Sequence, residues 1–456
     1  MTEEMNENNP FCGDPDDSDE DEDYDMSNWR NRKHKKLQGK NQSTIDKFLG
    51  KGSRYYVTGI MPGYYSELLI WALMQYLKRN DWKIENILGY RESEPVYADL
   101  NTGSEKLNLL VSGQILVEKE EACFIITVSV NPILRGSVQI EGSSDKKQKM
   151  TDFIAGVTAI ADQENIYRGK KLEFSGQIRF LDVKERTWDT VVLDEAIKAE
   201  IKANSIDFLR QSERWVQYGI PVKRGILLCG EPGTGKTIIC KALMSAAENI
   251  TCITTNAYAL AAGGYITQLF ELADDLNPSI VIIEDIDLIG QSREEFGYHQ
   301  GPALIELLAE MDGIEEQEKI VTIATTNHLE NLDKALSQRP SRFDKVIKLT
   351  RPSVMHRREL ISRLCRKIPM DNKIQEYIAI KAENFTPAQL QEIVFGLTIQ
   401  QPAEKSELVF NKADIDRAIS GINEKNRHQL GFVVNDNHNG NKLEQIIIQQ
   451  SENDNG

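Results

Sequence analysis

Apolar positions along the chain follow two different rhythms. Between about Tyr55 and Arg186 helical and strand patterns are mixed. YSELLIWALMQYL, Tyr65–Leu77, has the apolar density of a buried helix. KLNLLVSGQILV and ACFIITVSV follow as strand-like runs, and the charged EKEE between them predicts a hairpin with a solvated turn. A helical stretch near Asp152–Ala161 and a further strand, EFSGQIRFLDV, complete the region. Together they predict a small α+β domain without recognisable chemistry.

From Thr187 onward the rhythm changes. RGILLCG, TCITTN, SIVIIED, KIVTIATTN and DKVIKLT are apolar runs of strand length, and helical patterns separate them. Such alternation predicts a parallel sheet covered by helices. Chemistry in sheets of this kind lies at the C-terminal strand ends. After Pro352 the apolar runs are helical as far as Asn423. The expected partition is a tail over 1–52, an α+β domain over 53–186, an α/β domain over 187–352, a helical lid over 353–425 and a flexible tail over 426–456.

Charge changes this picture mainly at the ends. The formal net charge of the 456 residues is -16, and about a dozen acids fall within the first 29 residues, followed by the basic RNRKHKK. Neither run buries enough apolar surface to fold, so both read as solvated tail. The remaining chain is only mildly acidic, which disfavours a nucleic-acid partner. The six cysteines are scattered without CxxC spacing. Reduced thiols in a cytoplasmic setting are expected, rather than a disulfide or zinc framework. Leu68–Leu77 is about half the length that spans a bilayer, and no membrane anchor is expected.

Three strand ends carry chemical signals. Gly230-Glu231-Pro232-Gly233-Thr234-Gly235-Lys236-Thr237 fits GxxxxGK[ST] directly after RGILLC, with Ile238 next. Glycines let the backbone curl so that several N–H groups face a phosphate, and the following helix adds its positive end. Lys236 is expected at the β- and γ-phosphates of ATP and Thr237 on Mg²⁺. SIVIIEDID ends in acids. By position Glu284 takes the metal role and Asp285 the base role, with the exchange of roles left open and Asp287 beyond. KIVTIATTN places Asn327 at a third strand end, where its amide can hold the attacking water. Arg339 and Arg342 follow in QRPSRFD, suited to charge developing in a transition state.

These blocks resemble the AAA module over roughly Thr187–Asn423. QLFELADDLNPSIVIIEDID, LLAEMDGI, ATTN and LDKALSQRPSRFD stand in that family's order and spacing. GIPVKRGILLCGEPGTGKT, the Glu-Asp order, TTNH and TPAQLQ are similar to the mitochondrial AAA chaperone that assembles respiratory complex III. LLAEMDGI and the RPxRFD block are more similar to membrane metalloproteases and proteasomal ATPases. The resemblance implies a P-loop NTPase sheet with a helical lid, working as a hexameric or heptameric homo-oligomer on a protein substrate. It implies that Arg339 and Arg342 reach the ATP of the neighbouring subunit, that Asn327 is the first sensor, and that Val192 and Ile220 lie near adenine. It places Tyr258 at the substrate-gripping aromatic of the pore loop, although YALAAGG lacks the expected glycine; a core tyrosine is the other reading, and Tyr265 the other candidate. Pro387-Ala388 stands where the family often has Gly-Ala in the lid, and Ser341 replaces the glycine between the arginines. HExxH occurs nowhere in the sequence. Two functions remain open here: a protein remodeller driven by ATP hydrolysis, and a nucleotide-gated assembly or adaptor protein with slow turnover.

Overall fold

The structure of the chain, a computed structural model, describes residues 41–90, 93–101, 106–131, 135–183, 185–290, 301–313, 319–329, 343–401 and 408–429. The chain divides into two compact units, one of residues 1–100 and 108–163, the other of 101–107 and 164–456.

The first unit is built on an antiparallel sheet. Its strands are β1 (Arg54–Pro62), β2 (Lys83–Leu88), β3 (Val96–Asn101), β4 (Lys106–Lys119), β5 (Ala122–Asn131) and β6 (Arg135–Ser143). The order is β1-β6-β5-β4-β2, with β3 also pairing β4. The expected hairpin is β4–β5. Lys119 lies opposite Ala122, and Glu120 adopts φ +55° in the turn. Strand alternation brings Ile115 and Val117 onto one face with Phe124, Ile126, Val138 and Ile140. Helices Ser66–Arg79 and Lys147–Gln163 cover this face. Phe153 meets Tyr76, Trp82 and Phe124 at ring-centroid distances of 4.6, 5.2 and 6.3 Å.

The opposite face holds a smaller cluster, and it corrects the expected start of ordered chain. Residues 41–49 are helical rather than tail, and Ile45 is buried against Leu116 and Ile125. Ile45, Phe48 and Leu49 recur at helical spacing, enough to hold one short helix on a sheet. The preceding acidic and basic runs lie outside the described residues.

The second unit carries a seven-stranded sheet. Its strands are β7 (Lys171–Phe174), β8 (Ile178–Phe180), β9 (Lys223–Cys229), β10 (Thr251–Asn256), β11 (Ser279–Glu284), β12 (Ile320–Thr326) and β13 (Lys345–Lys348). The order is β13-β9-β12-β11-β10-β7-β8. All pairings are parallel except β7 with β8. The expected boundary at residue 187 is therefore corrected: EFSGQIRFLDV is a short hairpin whose first strand extends this sheet through Cys252 opposite Lys171. β12 is buried along its whole length. That two-sided burial explains why these strands read as continuous apolar runs. Ile226, Leu228, Ile280, Ile282, Val321 and Ile323 pack with Ile239 and Leu243 of the Lys236–Ala246 helix.

The lid has its own core. Helices Val354–Leu364, Asn372–Lys381, Pro387–Ile399 and Lys412–Gln429 gather Ile361, Ile378, Leu390, Ile393, Val394 and Ile415. Each of the first three has a side-chain cap, from Ser353, Asp371 and Thr386. Thr386 and Gln389 form a capping box, which fixes where TPAQLQ turns helical. The last helix runs to Gln429, beyond the expected limit at 425; residues 430–456 lie outside the described residues. Among the described residues no helix is long and apolar enough to cross a membrane.

Candidate nucleotide site

Strand order decides which side chains meet. β9, β12, β11 and β10 are consecutive neighbours and parallel, so their C-terminal ends lie side by side. They deliver Gly230, Asn327, Glu284 and Asn256 along a single edge.

The loop after β9 is shaped by glycine. Gly233 and Gly235 adopt φ +80° and +100°, where a side chain is strained. A Cβ at Gly233 would stand 2.8 Å from the Ala388 Cβ, and one at Gly230 would stand 2.6 Å from the Leu349 carbonyl oxygen. Thr234 closes the loop by donating its hydroxyl to the Glu231 carbonyl at 2.8 Å. The helix beginning at Lys236 follows at once, so its first N–H groups point into the loop.

Lys236 is the hub. Its Nζ donates to the carbonyls of Gly230 (2.6 Å) and Glu231 (3.2 Å) and to Asn327 Oδ1 (2.7 Å). The residue is only 6% exposed. Burial pushes its ammonium below the usual lysine range, against the pull of the Asp285 and Asp287 carboxylates. A partly dehydrated cation held by neutral carbonyls is suited to exchange them for phosphate oxygens.

The two acids face different partners. Thr237 Oγ1 donates to Glu284 Oε2 at 2.9 Å, which brings together two hard oxygen donors of the kind Mg²⁺ takes. Asp285 accepts from Asn327 Nδ2 at 3.3 Å. It also adopts φ +55°, fixed by a hydrogen bond from its N–H to the Thr325 hydroxyl (3.0 Å). Lys236, Asn327 and Asp285 thus form one connected polar chain, with Thr237 and Glu284 beside it.

Other positions are distributed as follows. Ile238 is exposed on the first turn of the cradle helix; Val192 is half-buried and Ile220 exposed. Tyr258 is 63% exposed on the Ala257–Gly263 helix, which Asn256 caps by accepting the Tyr258 N–H at 2.8 Å. Tyr265, the other candidate, packs edge-on to Phe174 and closely over Gly176. Arg339 and Arg342 lie outside the described residues.

Sequence reasoning did not assign Asp287, Thr325 or Arg351. Asp287 is buried and accepts the Asn327 N–H at 3.2 Å. Its signal was the third acid of EDID, too close to the first two to separate by spacing. Thr325 was visible only as part of ATTN. Arg351 binds Glu231 across 120 residues of chain, which no local pattern reveals.

The parallel sheet, the glycine-shaped loop and the buried lysine at its helix start define a P-loop NTPase fold. Residues 226–351 match the family "ATPase family associated with various cellular activities (AAA)", and the chain carries an AAA ATPase module. It is 28% identical over 350 residues to the ATP-dependent zinc metalloprotease FtsH 1 of Alkaliphilus metalliredigens, covering 72% of this chain and 55% of that protein. It is 31% identical over 246 residues to FtsH 2 of Sphaerobacter thermophilus, another ATP-dependent zinc metalloprotease, covering 52% and 37%. It is 31% identical over 240 residues to the ATP-dependent zinc metalloprotease YME1L1 of Rattus norvegicus, covering 51% and 33%. The chain thus spans between about a third and about half of the length of these relatives.

Proposed function

We propose that the chain hydrolyses ATP to ADP and phosphate within a homo-oligomeric ring, hexameric or heptameric, and uses the cycle to remodel, unfold or translocate a protein. The observation that supports this most is the chain of contacts from Lys236 through Asn327 to Asp285, which joins the ends of three strands at one point.

Each residue then has a defined task. The loop N–H groups from Gly230 to Thr237 cradle the phosphates, and Val192, Ile220 and Ile238 offer apolar surface for the base. Lys236 gives up its loop carbonyls and donates to the β- and γ-phosphates. Thr237 and Glu284 hold Mg²⁺, which when bound neutralises charge on those phosphates. Asn327 positions the attacking water through its amide, and Asp285 accepts that water's proton. Arg339 and Arg342 of a neighbouring copy reach the same phosphate, an effect worth roughly 10³–10⁵ in rate where such arginines act. Exposed Tyr258 suits a grip on extended polypeptide, whereas packed Tyr265 does not.

The protease function in the relatives' names is not carried over, since the sequence lacks HExxH. The slow, nucleotide-gated reading keeps one supporting feature: the base position holds Asp285, a methylene shorter than Glu, with one carboxylate oxygen engaged by Asn327. Phosphate release by the full chain, with and without an unfolded protein, separates the two. Stimulation by the unfolded protein is the expected result; an unstimulated rate with stable ATP-bound rings supports the gated reading. Mixing Arg342→Ala with Lys236→Ala subunits tests the shared site, with partial recovery of turnover expected.

A further inference from the structure

The lid is tied to the phosphate loop at one charged contact that the catalytic reading does not use. Arg351 lies just beyond β13, in the short connection that leads through Pro352 into the Val354–Leu364 helix. Its guanidinium faces in two directions. Nε and Nη2 both donate to Glu231 Oε2, at 2.9 and 2.7 Å, while Nη1 donates to the Asn384 carbonyl at 2.8 Å. Glu231 belongs to the phosphate loop. Asn384 lies two residues before Thr386, which caps the lid helix Pro387–Ile399. A third tie runs beside it, where the Ala388 N–H donates to the Gly233 carbonyl at 3.3 Å.

The two ends of this bridge are held differently. The Glu231 carbonyl accepts from Lys236 Nζ and from the Thr234 hydroxyl, so Lys236 must release it on turning to a phosphate. On the other side, buried Arg357 binds the Pro352 carbonyl (2.9 Å) and the Ala379 carbonyl (2.8 Å), fastening the connection to the lid core. A change at Glu231 therefore has a continuous polar route into the lid. The charge pair itself adds little to stability, because Glu231 and Arg351 have side chains 54% and 45% exposed. A solvated pair of this kind is cheap to break and re-form, which suits a contact that changes in each cycle.

We propose that Arg351 is a positioning residue that relays occupancy of the phosphate loop to the lid, with Glu231 as its partner. This rests on the nucleotide-binding reading of the loop. Nucleotide binding shifts Glu231, Arg351 follows, and the segment around Asn384 resets the lid angle. Loss of the pair leaves nucleotide bound to a lid that no longer responds.

The test uses the full chain with two fluorophores, introduced as non-natural amino acids at exposed Glu248 and Gln391, to follow the distance between sheet domain and lid. ATP and its slowly hydrolysed analogue are titrated into the parent, Glu231→Arg, Arg351→Glu and the double exchange, with affinity read by a fluorescent nucleotide. The expected result is a nucleotide-dependent distance change in the parent that falls at least threefold in each single variant. Affinity should stay within about threefold in Arg351→Glu, which lies outside the phosphate loop, and the double exchange should restore most of the change. Turnover should follow, with kcat about tenfold lower in Arg351→Glu and its KM little changed. An undiminished distance change in Arg351→Glu, or a double exchange no better than folded singles, overturns the proposal. So does a parent that binds ATP without lid movement. A parent that binds no nucleotide at all overturns the underlying nucleotide-site reading instead, and the relay with it.

Discussion

The two sheets of this chain use similar residues for opposite purposes. In the first unit neighbouring strands run antiparallel, so successive strand ends alternate between the two edges and polar groups at those ends are spread apart. In the second unit β9, β12, β11 and β10 all finish at one edge, so a glycine loop, an amide and two carboxylates meet. The first unit's side chains mainly bury one another; the second unit's strand ends remain polar and engaged. Substitutions at the parallel sheet's edge should therefore change chemistry more than stability, and core substitutions in the antiparallel unit should do the reverse.

The largest expected effect is at Lys236. Its removal takes away the cation that would donate to the β- and γ-phosphates, and truncating one partner of a hydrogen-bonded charge pair at a binding site costs about 2–5 kcal/mol of affinity. Lys236→Ala should weaken ATP binding at least ~100-fold by calorimetry, while the melting profile stays close to the parent's. Unchanged affinity would remove the cradle assignment.

Next come the acids. Asp285→Asn should retain ATP and lose roughly 10²–10⁴ in turnover, the usual contribution of a general base. Glu284→Gln should chiefly raise the Mg²⁺ concentration needed for half-maximal rate. The reverse pattern would exchange the two roles.

Phe124→Ala is the counterpart in the antiparallel unit. Phe124 is fully buried against Trp82 and Phe153. Its truncation should cost about 3–5 kcal/mol in unfolding of that unit, as large aromatic deletions do. Nucleotide affinity should stay within twofold. A parallel loss of affinity would break the contrast between a unit that packs and a unit that reacts.

The same contrast explains what was legible in the sequence. Every strand from β9 to β13 was readable; in β9 to β12 burial on both faces forces an apolar run between loops of fixed chemistry, whereas β13, at the sheet's end, is buried only at Ile347. In the antiparallel unit β4 and β5 were readable, whereas β1, β2, β3 and β6 were not. β2 (KIENIL) is exposed or half-buried throughout and shows no clear period, and β6 (RGSVQIEGS) alternates but has glycine at two of its four inward positions, which leaves only Val138 and Ile140 as apolar signal. EFSGQIRFLDV was read as one strand of the first unit, whereas it lies in the β7–β8 hairpin on the second unit's sheet, since an apolar run does not name the sheet it joins. Contacts distant in sequence were invisible for the same reason. Nothing near Glu231 announces Arg351, and only the fold brings Ala388 to Gly233.

Gly233→Ala carries the smallest of these effects and separates its causes. Two penalties act at this position: φ of +80°, which costs a side chain about 1–2 kcal/mol, and a Cβ 2.8 Å from that of Ala388. Together they should weaken ATP binding by about tenfold. Adding Ala388→Gly removes the closer of two contacts and leaves the backbone strain, so the double variant should recover part of the affinity. The Thr386 Oγ1 would still stand 3.0 Å from the new methyl, which further limits recovery. Full recovery would make the lid contact the whole reason for glycine here. No recovery would assign it to backbone conformation together with the Thr386 contact, and not to the methyl of Ala388.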